Sequence, residues 1–170
     1  SVTIINLQPI PFDKYLEFCN DKFEEAGKHL NPDVVEVLYD RFNKTTMYMQ
    51  KVMNMLFSMT EDGETCTVEM IDIAIKRLLD LASDAYETIL SQMPEKQRNL
   101  FLAISAEGQA TSISGGQFVR KYRLLSSSSV LSAVKGLLDK DFITQDKGVY
   151  STYDLFFVEW LKMKKVILDN

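Results

Sequence analysis

SSSSVLSAVKGLLDKDFITQDKGVYST, residues 126–152, decides the fold. Four serines precede an apolar stripe. A serine hydroxyl accepts an orphan backbone N–H at a helix start, so Ser126 or Ser127 is placed to cap a helix over 127–140. Val130, Leu131, Val134, Leu137 and Leu138 recur at helical spacing and are expected to face a core. Ser128, Ser129, Ser132, Lys135 and Gly136 fall on other faces. The helical period then stops. Phe142–Gln145 is strand-like, Asp146-Lys147-Gly148 is a turn, and Val149–Tyr153 returns as a second strand.

Upstream, PEKQRNLFLAISAEG (94–108) opens on Pro94, buries Leu100, Phe101, Ala103 and Ile104 and stops at Gly108. SISGG (112–116) leads into a short helix from about Gln117 to Arg123, with Ser112–Ser114 expected as its cap, and Leu124-Leu125 forms the turn before the serine run. Downstream, Asp154–Ile167 reads as a closing helix. Helix, short helix, helix, hairpin, helix is the order of a winged helix-turn-helix with a small β-hairpin wing. In DNA readers of this design the exposed N-terminal face of the third helix meets base edges and phosphates. Here that face offers Ser127, Ser128, Ser129, Ser132 and Lys135, with Arg120, Lys121 and Arg123 just before it and Lys147 at the wing tip. Serine discriminates poorly between bases, and the face carries no Arg. Sequence-specific reading is therefore disfavoured, while weak duplex contact and protein docking both stay open.

The first half reads as a helical region. Phe12, Leu16, Cys19, Phe23 and Ala26 mark a helix from Phe12 to about Lys28, near Gly27. Asn31 caps a second helix opened by Pro32, with Val34, Val35, Leu38 and Phe42 inward. A third runs from Thr45 or Thr46 to about Met59 over Met49, Val52, Met53, Leu56 and Phe57. A fourth is expected to start at Thr67 on Met70, Ile71, Ile73, Ala74, Leu78, Leu81 and Ala82, and either to continue through Met93 or to break near Ser83-Asp84. Residues 2–10 read as an extended segment stopped by Pro9 and Pro11. The fold class is thus mainly α: a helical unit over 1–84, then the winged helix over 85–170.

Charge follows the same division. Residues 1–85 hold 8 basic and 15 acidic side chains and residues 86–170 hold 11 and 9, so neither half has the strong positive excess of a nonspecific nucleic-acid binder. No apolar run is long enough to span a membrane, and the first residues lack the basic and apolar regions of a signal peptide. Cys19 and Cys66 have no C-x-x-C spacing and His29 is the only histidine, so neither a disulfide framework nor a metal site is expected, and a cytoplasmic location is. His29 sits beside Gly27 as a surface residue. No nucleophile–base–orienter set is present, so no catalytic residue is assigned.

Three stretches carry a resemblance. INLQPIPFDKYLEFCNDKFEEAGKHLNPDVVEVLYDRFNKTTMYMQKVMNMLF (5–57), with Thr45, Thr46, Tyr48 and Gln50, resembles the lid of AAA+/STAND P-loop ATPases of the archaeal type, as found in bacteria. LSQMPEKQRNLFLAISAEGQ (90–109) with SSSSVLSAVKGLLDKDFI (126–143), and VYSTYDLFFVEWL (149–161), resemble the winged helix that follows that lid. The family's closing D-P-L-F-x-x-W-L is matched by Asp154, Leu155, Phe156, Trp160 and Leu161, without the Pro. The resemblance implies a parent that binds ATP and Mg, with residues 2–10 as the exit from its nucleotide core and the lid over the adenine side. Arg41, Lys44, Thr45 and Thr46 would face that side. This chain has no G-x-x-x-x-G-K-[ST] and no Walker B strand, so it is expected to hold no cofactor and to do no chemistry alone. Its partners would be the ATPase core and, through the winged helix, DNA or another protein. The alternative is a free-standing winged-helix transcription regulator with a helical dimerisation or ligand domain.

Overall fold

The computed structural model describes residues 9–42 and 44–169. Helices dominate, with one antiparallel hairpin near the C-terminal end. Contacts divide the chain into two compact units, Ser1–Leu81 and Ala82–Asn170.

The first unit contains α1 (Phe12–Glu25), β1 (His29–Leu30), α2 (Pro32–Arg41), α3 (Thr46–Met59), β2 (Thr65–Cys66) and the start of α4 (Met70–Gln92), within which the division falls. The Asn31 side chain accepts the Asp33 N–H at 3.0 Å, and Pro32 occupies the first helical position, where its missing donor is not needed. Tyr15, Cys19 and Phe23 of α1 are buried, as are Val34, Val35 and Leu38 of α2 and Met49, Val52, Met53 and Leu56 of α3. Burying each large apolar side chain contributes about 1.5–3 kcal/mol. β1 and β2 pair in parallel, His29 with Thr65 and Leu30 with Cys66, and His29 is exposed.

Two expectations fail here. α4 begins at Met70, because the Thr67 carbonyl closes a turn with the Met70 N–H at 3.1 Å before the helix starts. Ile73 and Leu81 are 51% and 78% exposed, while Ile75 and Leu79 are buried in their place. At about 100° per residue Ile73 falls opposite Ile71 and Ile75. α4 continues unbroken through Ser83-Asp84. Of the extended segment, residues 2–8 lie outside the described residues, and residues 9–10 are irregular.

The second unit contains the rest of α4, α5 (Glu95–Glu107), α6 (Gly116–Lys121), α7 (Ser127–Asp139), β3 (Ile143–Asp146), β4 (Val149–Thr152) and α8 (Leu155–Met163). β3 and β4 are antiparallel, from Ile143 opposite Thr152 to Asp146 opposite Val149. Lys147 and Gly148 form the two-residue loop with φ of +49° and +79°. Positive φ at both positions defines the type I′ turn, whose twist matches that of the strands. Ala110 adds a bridge to Tyr150, with both backbone bonds at 2.8 Å. The architecture is that of a winged helix.

Its core is aromatic. Tyr86, Phe101, Phe157 and Trp160 are buried, with ring centroids 4.3 Å apart for Tyr86–Phe157 and 5.0 Å for Phe101–Phe157. Hydrogen bonds latch the helices around it. Tyr86 Oη donates to Asp154 at 2.8 Å, Trp160 Nε1 donates to Ser83 at 3.0 Å, and Ser105 and Thr152 share a buried bond of 2.7 Å. Asp154 also caps α8 by accepting the N–H groups of Phe156 and Phe157. α8 ends at Met163, short of Ile167, since Lys165 takes φ +56° and the tail turns back.

Candidate interaction surface of the winged helix

The serine run resolves into separate tasks. Ser126 caps α7 by accepting the Ser129 N–H at 3.1 Å, and the Ser129 hydroxyl reaches back to the Ser126 N–H at 3.1 Å. This is a capping box built from two serines in place of the usual Ser–Glu pair. Ser127 donates to the Ser114 carbonyl at 2.6 Å, tying the start of α7 to the loop before α6. Ser114 therefore serves as an acceptor for α7, and the cap position of α6 belongs to Gly115, which makes no side-chain cap bond. Ser128 lies 3.1 Å from the Ser126 hydroxyl and is exposed, as is Ser132. Of the four serines named as contacts, two spend their hydroxyls on the fold and two face solvent.

Of the basic residues named with that face, Lys121 is engaged within the unit. Lys121 bonds Glu107 of α5 at 2.9 Å, and Tyr122 donates to the same carboxylate. The Tyr122 hydroxyl and then Lys121 hold the Glu107 carboxyl below its ordinary range. The Arg120 guanidinium lies over Gly116, where an added Cβ would sit 2.8 Å from its Nη1. Arg123 takes φ +52° just past α6, and Lys147 stands exposed on the wing tip. Along α7 and the wing, exposed Lys135, Lys140 and Lys147 are balanced by exposed Asp139, Asp141 and Asp146.

Leu131 stands between Ser127 and Lys135 on the exposed arc of α7 and is 60% exposed, contrary to its expected core position. Ala133 is buried with Val130 and Leu137 instead. The reason is α5. Gly136 meets Gln97, and a Cβ there would lie 2.3 Å from Gln97 Nε2, so α5 presses on that side and rotates Leu131 outward. The apolar arc of α7 is wider than the face α5 covers, and its Leu131 edge is left over. Leu125, in the turn before α7, is 75% exposed.

In the first unit, the residues expected to face a nucleotide sit together on the α2–α3 connection. Arg41 is paired with Asp72 at 2.8 Å. Lys44 takes φ +63° and its Nζ stands 5.8 Å from the Tyr39 ring centre. Thr45 holds the cap position of α3 without a side-chain cap bond, and Thr46 is the first helical residue. Cys19 and Cys66 are buried, and burial pushes the Cys19 thiol up to about 11 and the Cys66 thiol above its usual value. Neither is a poised nucleophile. Among the described residues no helix is long and apolar enough to cross a membrane.

Residues 84–163 match a family model described as a probable winged helix domain. No curated protein and no solved structure matches the chain.

Proposed function

We propose that this chain is a non-catalytic interaction segment of a P-loop ATPase, in which the winged helix docks a protein and the lid-like unit ties that docking to nucleotide state. The observation that carries the docking half is the exposed arc of α7: Leu131 at its centre, serines beside it, and lysines balanced by aspartates along helix and wing. A duplex-reading face needs net positive charge to release counterions, and a balanced face gains nothing from it. An exposed leucine among small polar groups suits a protein surface.

The ATPase half rests on the resemblance of residues 5–57, 90–109, 126–143 and 149–161 to the lid and winged helix of that class. ATP and Mg would be held by the parent's core. The residues here do not fit them. Gly115-Gly116 opens a six-residue helix with an arginine folded over it, and Arg41 is committed to Asp72. Coupling requires that the lid make different contacts in the two nucleotide states, and the winged helix is carried with it.

Duplex binding by a transcription regulator is the competing reading, and Arg120, Arg123, Lys135 and Lys147, whose exposed side chains make no hydrogen bond or ion pair among the described residues, favour it. Fluorescence anisotropy of the purified chain against random and GC-rich duplexes separates the two. The expected result is no saturable binding at moderate salt. Saturable binding with a steep salt slope, weakened by Lys135→Ala and Lys147→Ala, overturns the docking reading. For the ATPase half, the complete reading frame is expected to turn over ATP while this chain alone does not. Turnover by the chain, or a reading frame without a P-loop, overturns that half.

A further inference from the structure

A groove of about 420 Å³ runs along the second unit on a side of α5 away from α7. Asn99, Leu102, Ala103 and Ala106 line it at i, i+3, i+4 and i+7, one helical stripe. Gln97 and Ile104, on the opposite arc of α5, face α7 and the core. The second wall is the end of α6, with Lys121 and Tyr122. The third is the C-terminal tail, Lys165–Leu168, folded back by the left-handed turn at Lys165 and held by the Val166 N–H on the Leu161 carbonyl at 2.9 Å.

The groove has an apolar floor and a basic rim. Leu168 is 81% exposed and Val166 43% exposed, although the tail also buries Ile167. The alanines let an incoming side chain approach the α5 backbone closely. Glu107, next to Ala106 in the chain, is already held by Tyr122 and Lys121. Lys165 remains, with Lys164 and Arg123 beside the groove in the chain, all exposed. Asp169, 3.9 Å from Lys162, is the one acidic side chain among the described residues of the tail.

From this juxtaposition of an α5 stripe, a turned-back apolar tail and unanswered cations, we infer that the groove is a second docking site and that its occupant is an amphipathic acidic segment of a partner protein. Apolar side chains of the occupant at i, i+3 and i+4 fill the space over Leu102, Ala103 and Ala106. Its carboxylates meet Lys165 and the neighbouring cations. The helix-in-groove mode needs such a floor, and complementary charge sets its partner choice and on-rate. This site shares no residue with the α7 face, so it stands whether or not that face docks a protein.

The probe is a set of fluorescein-labelled peptides with leucine fixed at i, i+3 and i+4 and the flanking positions all glutamate, all serine or all lysine. Anisotropy is read on the whole chain. The glutamate peptide is expected to bind best and the lysine peptide not at all. Leu102→Glu, at a half-buried helical position, weakens the glutamate peptide about thirtyfold. Lys165→Glu weakens it about fivefold, more at low salt. Leu131→Ser on α7 leaves it unchanged. Trp160 emission, from a side chain lining no wall of the groove, verifies that each variant is folded. Equal binding of the three peptides, or glutamate-peptide binding untouched by both groove substitutions, overturns the inference. So does concentration-dependent dimerisation by light scattering that Leu102→Glu abolishes, since the groove would then belong to a second copy of the chain.

Discussion

The two units are both helical, yet they are held together by different chemistry. The first packs Tyr15, Phe23, Phe42 and Tyr48 among aliphatic and sulfur side chains, with Cys19, Met49, Met53 and Cys66 in its core, and among the described residues its strand pair is two residues long. The second packs Tyr86, Phe101, Phe157 and Trp160 and fixes them with hydrogen bonds between α4 and α8 and between α5 and β4. Flexible thioethers fill space without prescribing one geometry, whereas buried polar groups must find a particular partner. The second unit is therefore the more sharply specified body, which suits a surface that has to present the same face each time. The first is the better candidate for a part that adjusts. Reporters for each are built in: the single tryptophan lies in the second unit and both cysteines in the first.

The largest blow to this contrast comes from Phe157→Ala. Removing a ring that touches Tyr86, Phe101 and Trp160 costs about 3–5 kcal/mol. In urea, the tryptophan transition is expected to move to lower concentration while protection of Cys19 and Cys66 from alkylation, which their burial and raised thiols impose, stays as it was. If thiol labelling and fluorescence move together, the units unfold as one and the distinction is wrong.

Asp154→Ala comes next. It leaves two N–H groups of α8 uncapped and takes away the acceptor of Tyr86, so a loss of about 2 kcal/mol is expected. Asp154→Asn, which keeps an acceptor oxygen, should recover most of it. A smaller test lies in the serine run. Ser126→Ala removes the capping box and should cost about 1 kcal/mol, while Ser128→Ala, on the exposed face, should change stability by less than about 0.5 kcal/mol. Similar costs for both would mean that the box is not what starts α7.

The smallest effect is a pH dependence confined to the second unit. Glu107 has a folded-state pKa below its unfolded value, because Tyr122 and Lys121 favour the carboxylate. Its stabilisation is present above the unfolded carboxylate range and is lost as pH falls through the folded value. The group is partly exposed, so solvent limits the effect to under about 1 kcal/mol. Glu107→Gln should be less stable than the parent at neutral pH by under about 1 kcal/mol, with the difference closing as pH falls, read by tryptophan emission in urea. A Glu107→Gln profile that overlays the parent's would show that the cluster does not favour folding.

Most of the second unit was legible in the residues. The Asp146-Lys147-Gly148 signal fixed the hairpin, since glycine readily supplies a positive φ, and Leu100, Phe101, Ala103 and Ile104 of α5 are all buried as their spacing implies. The surface was less legible. The four serines look alike in sequence, and only their neighbours separate a cap from a tether or a solvent-facing hydroxyl. The groove could not be read at all, because its third wall depends on a left-handed residue at Lys165 that ends α8 before its apolar pattern ends.

By itself the sequence determined the order of the helices, the mainly helical class and the hairpin, because these follow from local periodicity, capping and turn chemistry that each segment carries within a few residues, whereas the β1–β2 pair joins segments far apart in the chain. Tertiary structure alone decided which edge of an apolar arc is covered. Leu131 is left outside and Ala133 goes in because Gly136 lets α5 approach on one side, and a stripe wider than its neighbour always leaves a margin that no local pattern can assign.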